Sequence, residues 1–371
     1  MTPMTLAATA PQASPEVNWL LVAGLSVLLA LLVFQATRSR EARTGLRLGL
    51  RGLVAKELRS RSRGWRPVWL LTGYLAMLAL AVGGFLALMA NVGGVISPNL
   101  GIQLFSALAT GAVLMLAFIT PALTVGSISG ERERRTLELL LVTRASALGL
   151  VLGKLAGSLL YVLFLLVASL PAFALVYLFG GVPPLHLGMV LAVAAVTAVA
   201  YASLGLLLSA LLRRTIVASV VAYLLVLFLV LGLPFLSILA VLASQGRASG
   251  GTALYSFASP MSSLASVLPS NSGWGMPLVG DLLPLVLGGR LGFGRVESAA
   301  GGISATMVYA LQPDPITGQV ATVVAWAPWV YHFLFSAALA ALCVLLAALV
   351  LAPTKPWQAR RLRRTRVKSD E

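Results

Sequence analysis

The chain has 371 residues, 59% of them hydrophobic and 10% charged, with a formal net charge of +16 and a mean hydropathy of +0.95. Several apolar runs approach or exceed the roughly 20 residues that cross a bilayer, which excludes a soluble core and predicts an all-α polytopic membrane protein. The basic excess clusters at the ends of those runs, where it orients spans and does not point to nucleic acid, and a lone cysteine, Cys343, excludes an intrachain disulfide and a cysteine metal site.

Residues 1–16 contain no Lys or Arg and lack the basic start of a signal peptide. With the apolar run 17–34 they form the first segment, 1–37, read as an N-out tail and an additional transmembrane helix; an uncleaved targeting segment or an interfacial helix are the alternatives. Residues 38–66 hold ten basic side chains. Arg43, Arg47 and Arg51 recur every four residues, Lys56 and Arg59 follow, and Leu46, Leu50, Leu53, Val54 and Leu58 line another side. This is the pattern of a basic amphipathic helix on the inner leaflet, arginines toward lipid headgroups; Gly45, Gly49 and Gly52 weaken the helix, and a disordered basic loop is the alternative.

Five spans are expected within 67–242 (67–91, 102–126, 148–179, 186–212 and 216–242) and a last one at 326–352, followed by a basic tail, 353–371. Alternating them from a cytoplasmic 38–66 places 24 of the 27 Lys and Arg on the inside, leaving Arg247, Arg290 and Arg295 outside. That asymmetry supports seven spans and a cytoplasmic C-terminus. The long outer loop, 243–325, contains two apolar stretches, Ala253 to Leu268 and Met276 to Leu287, each interrupted by prolines. Re-entrant or interfacial helices are expected there, with a mobile loop as the alternative. Gly83, Gly84, Gly111, Gly157 and Gly205 are placed to allow close helix approach.

The segment Ser127 to Lys154 organises the chain. Between Glu131 and Arg144 it carries Glu131, Arg132, Glu133, Arg134, Arg135, Glu138 and Arg144, a density that cannot lie in hydrocarbon. A short amphipathic helix at 128–141 is expected, with Ser129 as N-cap, Glu131–Arg135 and Arg134–Glu138 as one-turn ion pairs, and Leu137, Leu140 and Leu141 on the apolar side. An ordinary charged loop is the competing reading.

No Asp or Glu falls inside the expected spans, which disfavours an ion-driven carrier. His186 and His332 fall near outer span ends and read as interfacial side chains. Gly149 to Leu155, GLVLGKL, lacks the spacing and hydroxyl of a phosphate loop, and no catalytic triad or metal-spaced cluster is present, so no catalytic or metal residue is assigned.

The central segment resembles the membrane subunit of ABC transporters of the ABC-2 export class, which carry ERE-x-GTLE-x-LL-x-TP-x-S followed by GK. The matching residues are Glu131, Arg132, Glu133, Thr136, Leu137, Glu138, Leu140, Leu141, Thr143, Ser146, Gly153 and Lys154. Arg135 stands where the family usually has Gly, and Arg144 where it usually has Pro. The resemblance extends less specifically over about 50–242. It implies a six-helix core, to which 17–34 adds an extra span, and a coupling helix docking on a separate ABC ATPase through Glu131, Arg132, Glu133, Arg134, Arg135, Thr136 and Glu138. Leu137, Leu140 and Leu141 would then pack against the spans. The implied protein is a non-enzymatic permease of the inner (plasma) membrane, paired with a second copy or a paralogous permease and in contact with membrane lipids. It binds no cofactor, since ATP and Mg belong to the partner ATPase. The alternative is a non-transporting scaffold or assembly factor recruiting a soluble partner through 128–146.

Overall fold

The computed structural model describes residues 65–91, 100–135, 147–236, 239, 258–268, 306–310 and 322–351. The expected span at 17–34, the basic helix with Arg43, Arg47, Arg51, Lys56 and Arg59, and the basic tail all lie outside the described residues.

Among the described residues, six helices are long and apolar enough to cross a membrane. They are α1 (Arg66–Asn91), α2 (Leu100–Glu133), α3 (Ala147–Tyr177), α4 (Pro184–Leu211), α5 (Thr215–Leu227, running on through a π-helical turn, Phe228–Gly232, to Leu236) and, last in the chain, α7 (Pro328–Leu351). Between the last two lie a short helix, α6 (Pro260–Val267), and strands β1 (Thr306–Ala310) and β2 (Thr322–Trp326). The strands pair antiparallel, Thr306 opposite Trp326 and Ala310 opposite Thr322. The molecule is an all-α membrane bundle carrying this one small ribbon among the described residues.

Because these helices are apolar all round, no single stripe decides which becomes central; side-chain size does. α4 reads AVAAVTAVAYASLG through its middle, and small residues let neighbouring backbones approach. It is the most buried span and packs against α2 on one side and α7 on the other, with α3, α5 and α6 completing its surround. Gly205 marks the tightest approach. A Cβ there would overlap Thr124 Oγ1 and lie 3.2 Å from Val125 Cγ2 and 3.3 Å from the Pro121 Cα, so α4 fits against α2 only without a side chain. Of the other four glycines expected to serve this purpose, Gly83 and Gly84 face open space and Gly111 makes only ordinary contact with Ala81.

α1, α3, α5 and the exposed side of α7 form the periphery. Leu80, Phe164, Val167, Ile216 and Leu224 are each at least half exposed, the apolar surface that lipid covers. The core divides in two. The larger cluster includes Tyr74, Leu104, Phe105, Phe173 and Tyr201, with Phe105 and Phe173 in edge contact at 5.7 Å across α2 and α3. A smaller one joins Ile128, Leu150, Val151, Leu155, Leu206, Ala210 and Ala347 directly beneath the charged end of the bundle.

The ends of the spans follow turn chemistry. α3 and α4 are joined through Gly180 and Gly181, both at positive φ (74° and 86°), a region open to glycine at little cost. Pro184 then occupies the first turn of α4, where its missing N–H is not needed. α4 and α5 are joined by residues 212–214 alone.

The 243–325 region differs in part from expectation. Within Ala253 to Leu268 a helix does form, but it spans only Pro260–Val267, with Ser259 as N-cap accepting from the Met261 amide at 3.3 Å. It packs against α7, α4 and α2, and Pro260, Met261, Ser263, Leu264 and Val267 are buried. The hairpin of β1 and β2 was not expected, and Met276 to Leu287 lies outside the described residues. His332 also departs from its expected interfacial position. It is fully buried, with Nε2 2.9 Å from Thr197 Oγ1, half-way along α4, and 3.4 Å from Ser336 Oγ. His186 is likewise buried at the start of α4.

Candidate functional site: the charged end of the bundle

The helix expected to begin at Ser129 begins instead at Leu100. α2 is 34 residues long, about 51 Å at the α-helical rise, against about 30 Å of hydrocarbon. The span therefore continues unbroken beyond the membrane thickness, and Glu131, Arg132 and Glu133 form its last turn. Ser129 is no N-cap. It is buried in the helix, its hydroxyl donating to the Val125 carbonyl at 3.0 Å. The apolar window ends near Gly126, but backbone hydrogen bonding does not, and the missing apolar signal hid the continuity. α2 stops because Arg135 takes φ 57°, the left-handed conformation that ends many helices and favours glycine. This is the position at which the resembled family usually carries Gly.

With Arg135 outside the helix, the i, i+4 register expected for Glu131 and Arg135 is broken. Glu131 instead reaches α3, where Lys154 Nζ donates to Glu131 Oε1 at 2.7 Å and to the Ser127 carbonyl at 2.9 Å. The Lys154 side chain is only 6% exposed and that of Glu131 23%. A cation two turns inside a membrane helix needs such partners, and the C-terminal carbonyls of α2 supply a second favourable potential. Removing one member of a buried pair of this kind costs about 3–5 kcal/mol.

The next two residues make ties of their own. Arg132 Nη2 donates to the Ala210 carbonyl at 3.1 Å, satisfying one of the unpaired carbonyls at the end of α4 with a cation. Glu133 Oε1 accepts from the Thr215 amide at 2.7 Å, placing an anion at the start of α5. The flanking Arg214 makes no side-chain cap of its own, so a carboxylate from another helix does the capping. Beneath these ties lies a hydroxyl cluster: Ser209 Oγ accepts from the Ile128 and Ser129 amides at 3.0 and 2.9 Å, and Thr215 Oγ1 donates to Ser129 Oγ at 3.0 Å. The charged ends of α2, α3, α4 and α5 thus meet in one polar knot on a small apolar cluster.

The expected docking residues divide into three sets. Glu131, Arg132 and Glu133 are engaged by neighbouring helices of the same chain. Arg134 and Arg135 are exposed beyond the helix end, and Arg213 and Arg214 of the α4–α5 turn, which precede the Thr215 amide held by Glu133, are exposed as well. Thr136, Leu137, Glu138, Leu140 and Leu141, and with them the rest of the expected 128–141 helix, lie outside the described residues. Sequence reasoning placed Lys154 in a motif without giving it a role. The available signal was a lysine inside an apolar run, which demands an anion, and the nearest carboxylates were those of the ERE stretch. Ser209, Ala210 and Thr215 carried no comparable signal. No group of three or more His, Cys, Asp or Glu among the described residues is arranged to hold a metal.

Residues 96–349 match the family described as ABC-2 family transporter protein, more than half of the chain. The chain belongs to the ABC-2 transporter family. The match takes in α2, α3, α4, α5, the 243–325 region and nearly all of α7, reaching well past residue 242, where the sequence resemblance ends. No curated protein matches the chain. With six spanning helices and this membership, the ABC-2 protein is a multi-pass membrane permease component, and an ABC ATPase partner follows from its family.

Proposed function

We propose that this ABC-2 chain is the permease half-unit of an ATP-driven exporter of the inner (plasma) membrane. It assembles with a second copy or a paralogue and with two separate ATPase subunits, the charged face and C-terminus lying in the cytoplasm. ATP and Mg reside on the ATPase. The observation that carries the reading is the overlong α2: a membrane span that projects beyond the bilayer and ends in a turn opening on exposed arginines offers a handle to a soluble motor. The segment from Arg134 to Ser146, continuing to the start of α3, is the contact.

The test is co-purification from the native host in mild detergent, comparing the parent with an Arg134→Glu/Arg135→Glu variant. These residues project beyond the knot, so charge reversal leaves the Glu131, Arg132 and Glu133 ties in place, whereas alanine at Glu131 and Glu133 would loosen the fold as well. An ATPase recovered with the parent and lost from the equally stable variant supports the contact. Absence of any ATPase across several detergents favours the scaffold alternative, and indifference to charge reversal moves the contact elsewhere.

A further inference from the structure

Consecutive residues of an α-helix point about 100° apart, so three in a row span about 200° around the axis and face three different directions. In the last turn of α2 each of the three grips a different helix: Glu131 holds Lys154 of α3, Arg132 holds the Ala210 carbonyl of α4, and Glu133 holds the Thr215 amide of α5. Anything that pulls on α2 from beyond Arg135 acts on this collar. Ser209 adds a second contact one turn below, bonded to the Ile128 and Ser129 amides. The Glu131–Lys154 tie differs from the others in being a side-chain ion pair, drawn by the lysine into the α2–α3 interface.

We infer that Lys154 is a positioning residue for transport. With Glu131, Arg132 and Glu133 it makes the charged ends of α2, α3, α4 and α5 a single rigid body, so displacement of the α2 tip carries α3 with it. The source of that displacement, an ATPase bound beyond the end of α2, rests on the function proposed above; the rigid body itself does not. The ion pair therefore acts as a transmission element and is no part of the docking face, and its loss uncouples α2 from α3 without releasing a bound ATPase.

The test uses the full chain in lipid nanodiscs with Cys343→Ala, a buried thiol, and spin labels at Gly130→Cys near the tip of α2, where an added side chain meets open space, and at Leu160→Cys on the exposed side of α3. Distances are measured nucleotide-free and, where the ATPase co-purifies, trapped with ATP and vanadate. The parent is expected to give one narrow distribution that does not shift between the two states. Glu131→Gln/Lys154→Met removes both charges together, avoiding an orphaned buried ion. It is expected to lose the narrow distribution and to separate the labels on trapping while retaining as much ATPase as the parent. Lys154→Arg keeps the cation and should restore the parent distribution. Superimposable distributions for the parent and the neutralised pair overturn the proposal, as does release of the ATPase by the neutralised pair. If no ATPase accompanies the parent, the proposed function fails, and the nucleotide-free comparison alone decides the rigid body.

Discussion

The two ends of the ABC-2 bundle are held by different means. At the charged end, four helix termini are tied by formal charges and backbone groups: Lys154 to Glu131, Arg132 to Ala210 and Glu133 to Thr215. Toward the opposite end, cohesion comes from the inserted helix α6 and from neutral hydrogen bonds. Ser259 Oγ donates to the Val230 carbonyl at 3.2 Å, inside the π-helical turn where the regular ladder is interrupted, and His332 meets Thr197. Charge-assisted bonds are individually stronger and depend on geometry, while the contacts at the opposite end are weaker and spread over apolar packing. The charged end is therefore built to keep its shape, and the end with the π-helical turn and the inserted helix has the looser backbone.

That contrast can be broken most severely at Lys154. Lys154→Met leaves Glu131 partly buried beside uncompensated carbonyls and should cost about 3–5 kcal/mol, seen as a large fall in the detergent unfolding midpoint, whereas the Glu131→Gln/Lys154→Met pair recovers most of it. A midpoint for the single variant equal to the parent would mean that water, not Glu131, solvates the lysine. Next in size is Gly205→Leu, which drives a side chain into Pro121 and Thr124 of α2 and should cost about 1–3 kcal/mol or prevent accumulation of folded protein; normal yield and unfolding temperature would contradict the close crossing. Ser259→Ala removes both the α6 cap and the donor to Val230 and should cost about 1–2 kcal/mol. Hydrogen exchange locates that loss: protection should fall at Met261 and along the end of α5 and stay unchanged at Thr215. Arg135→Gly carries the smallest effect and the opposite sign. Relief of a left-handed arginine should stabilise the helix end by about 1 kcal/mol, and an unchanged or lower unfolding temperature would argue against φ 57° there.

What could be read from the sequence follows from the range of the forces involved. Spans are legible because burial in hydrocarbon is written in composition, residue by residue, and the six described spans lie close to those expected. Where α2 ends was not, because hydropathy ceases near Gly126 while the helical ladder continues to Glu133. Arg135 was recognisable as a departure from the family pattern, and the backbone supplies its physical meaning. The ion pair expected between Glu131 and Arg135 assumed that neighbours in sequence meet on one helix; the partner came from α3, 23 residues away. Similarly, His332 was placed at the interface because it falls near the end of an expected span, but its surroundings are set by where α7 lies against α4. The π-helical turn left no mark in a run as uniform as LLVLFLVLG.

Where α2 crosses α4 also determines how motion would be scaled. Gly205 meets α2 at Pro121 and Thr124, closer to the charged tip than to the other end. From Pro121 the helix extends about 18 Å to Glu133 and about 31 Å back to Leu100 at the α-helical rise. If the tied helix ends tilt together about the level of that crossing, the far end of α2 sweeps about 1.7 times the distance travelled by its tip. The unequal arms trade force for reach, so that a short stroke at the charged face gives a wider excursion on the side where α6 is inserted.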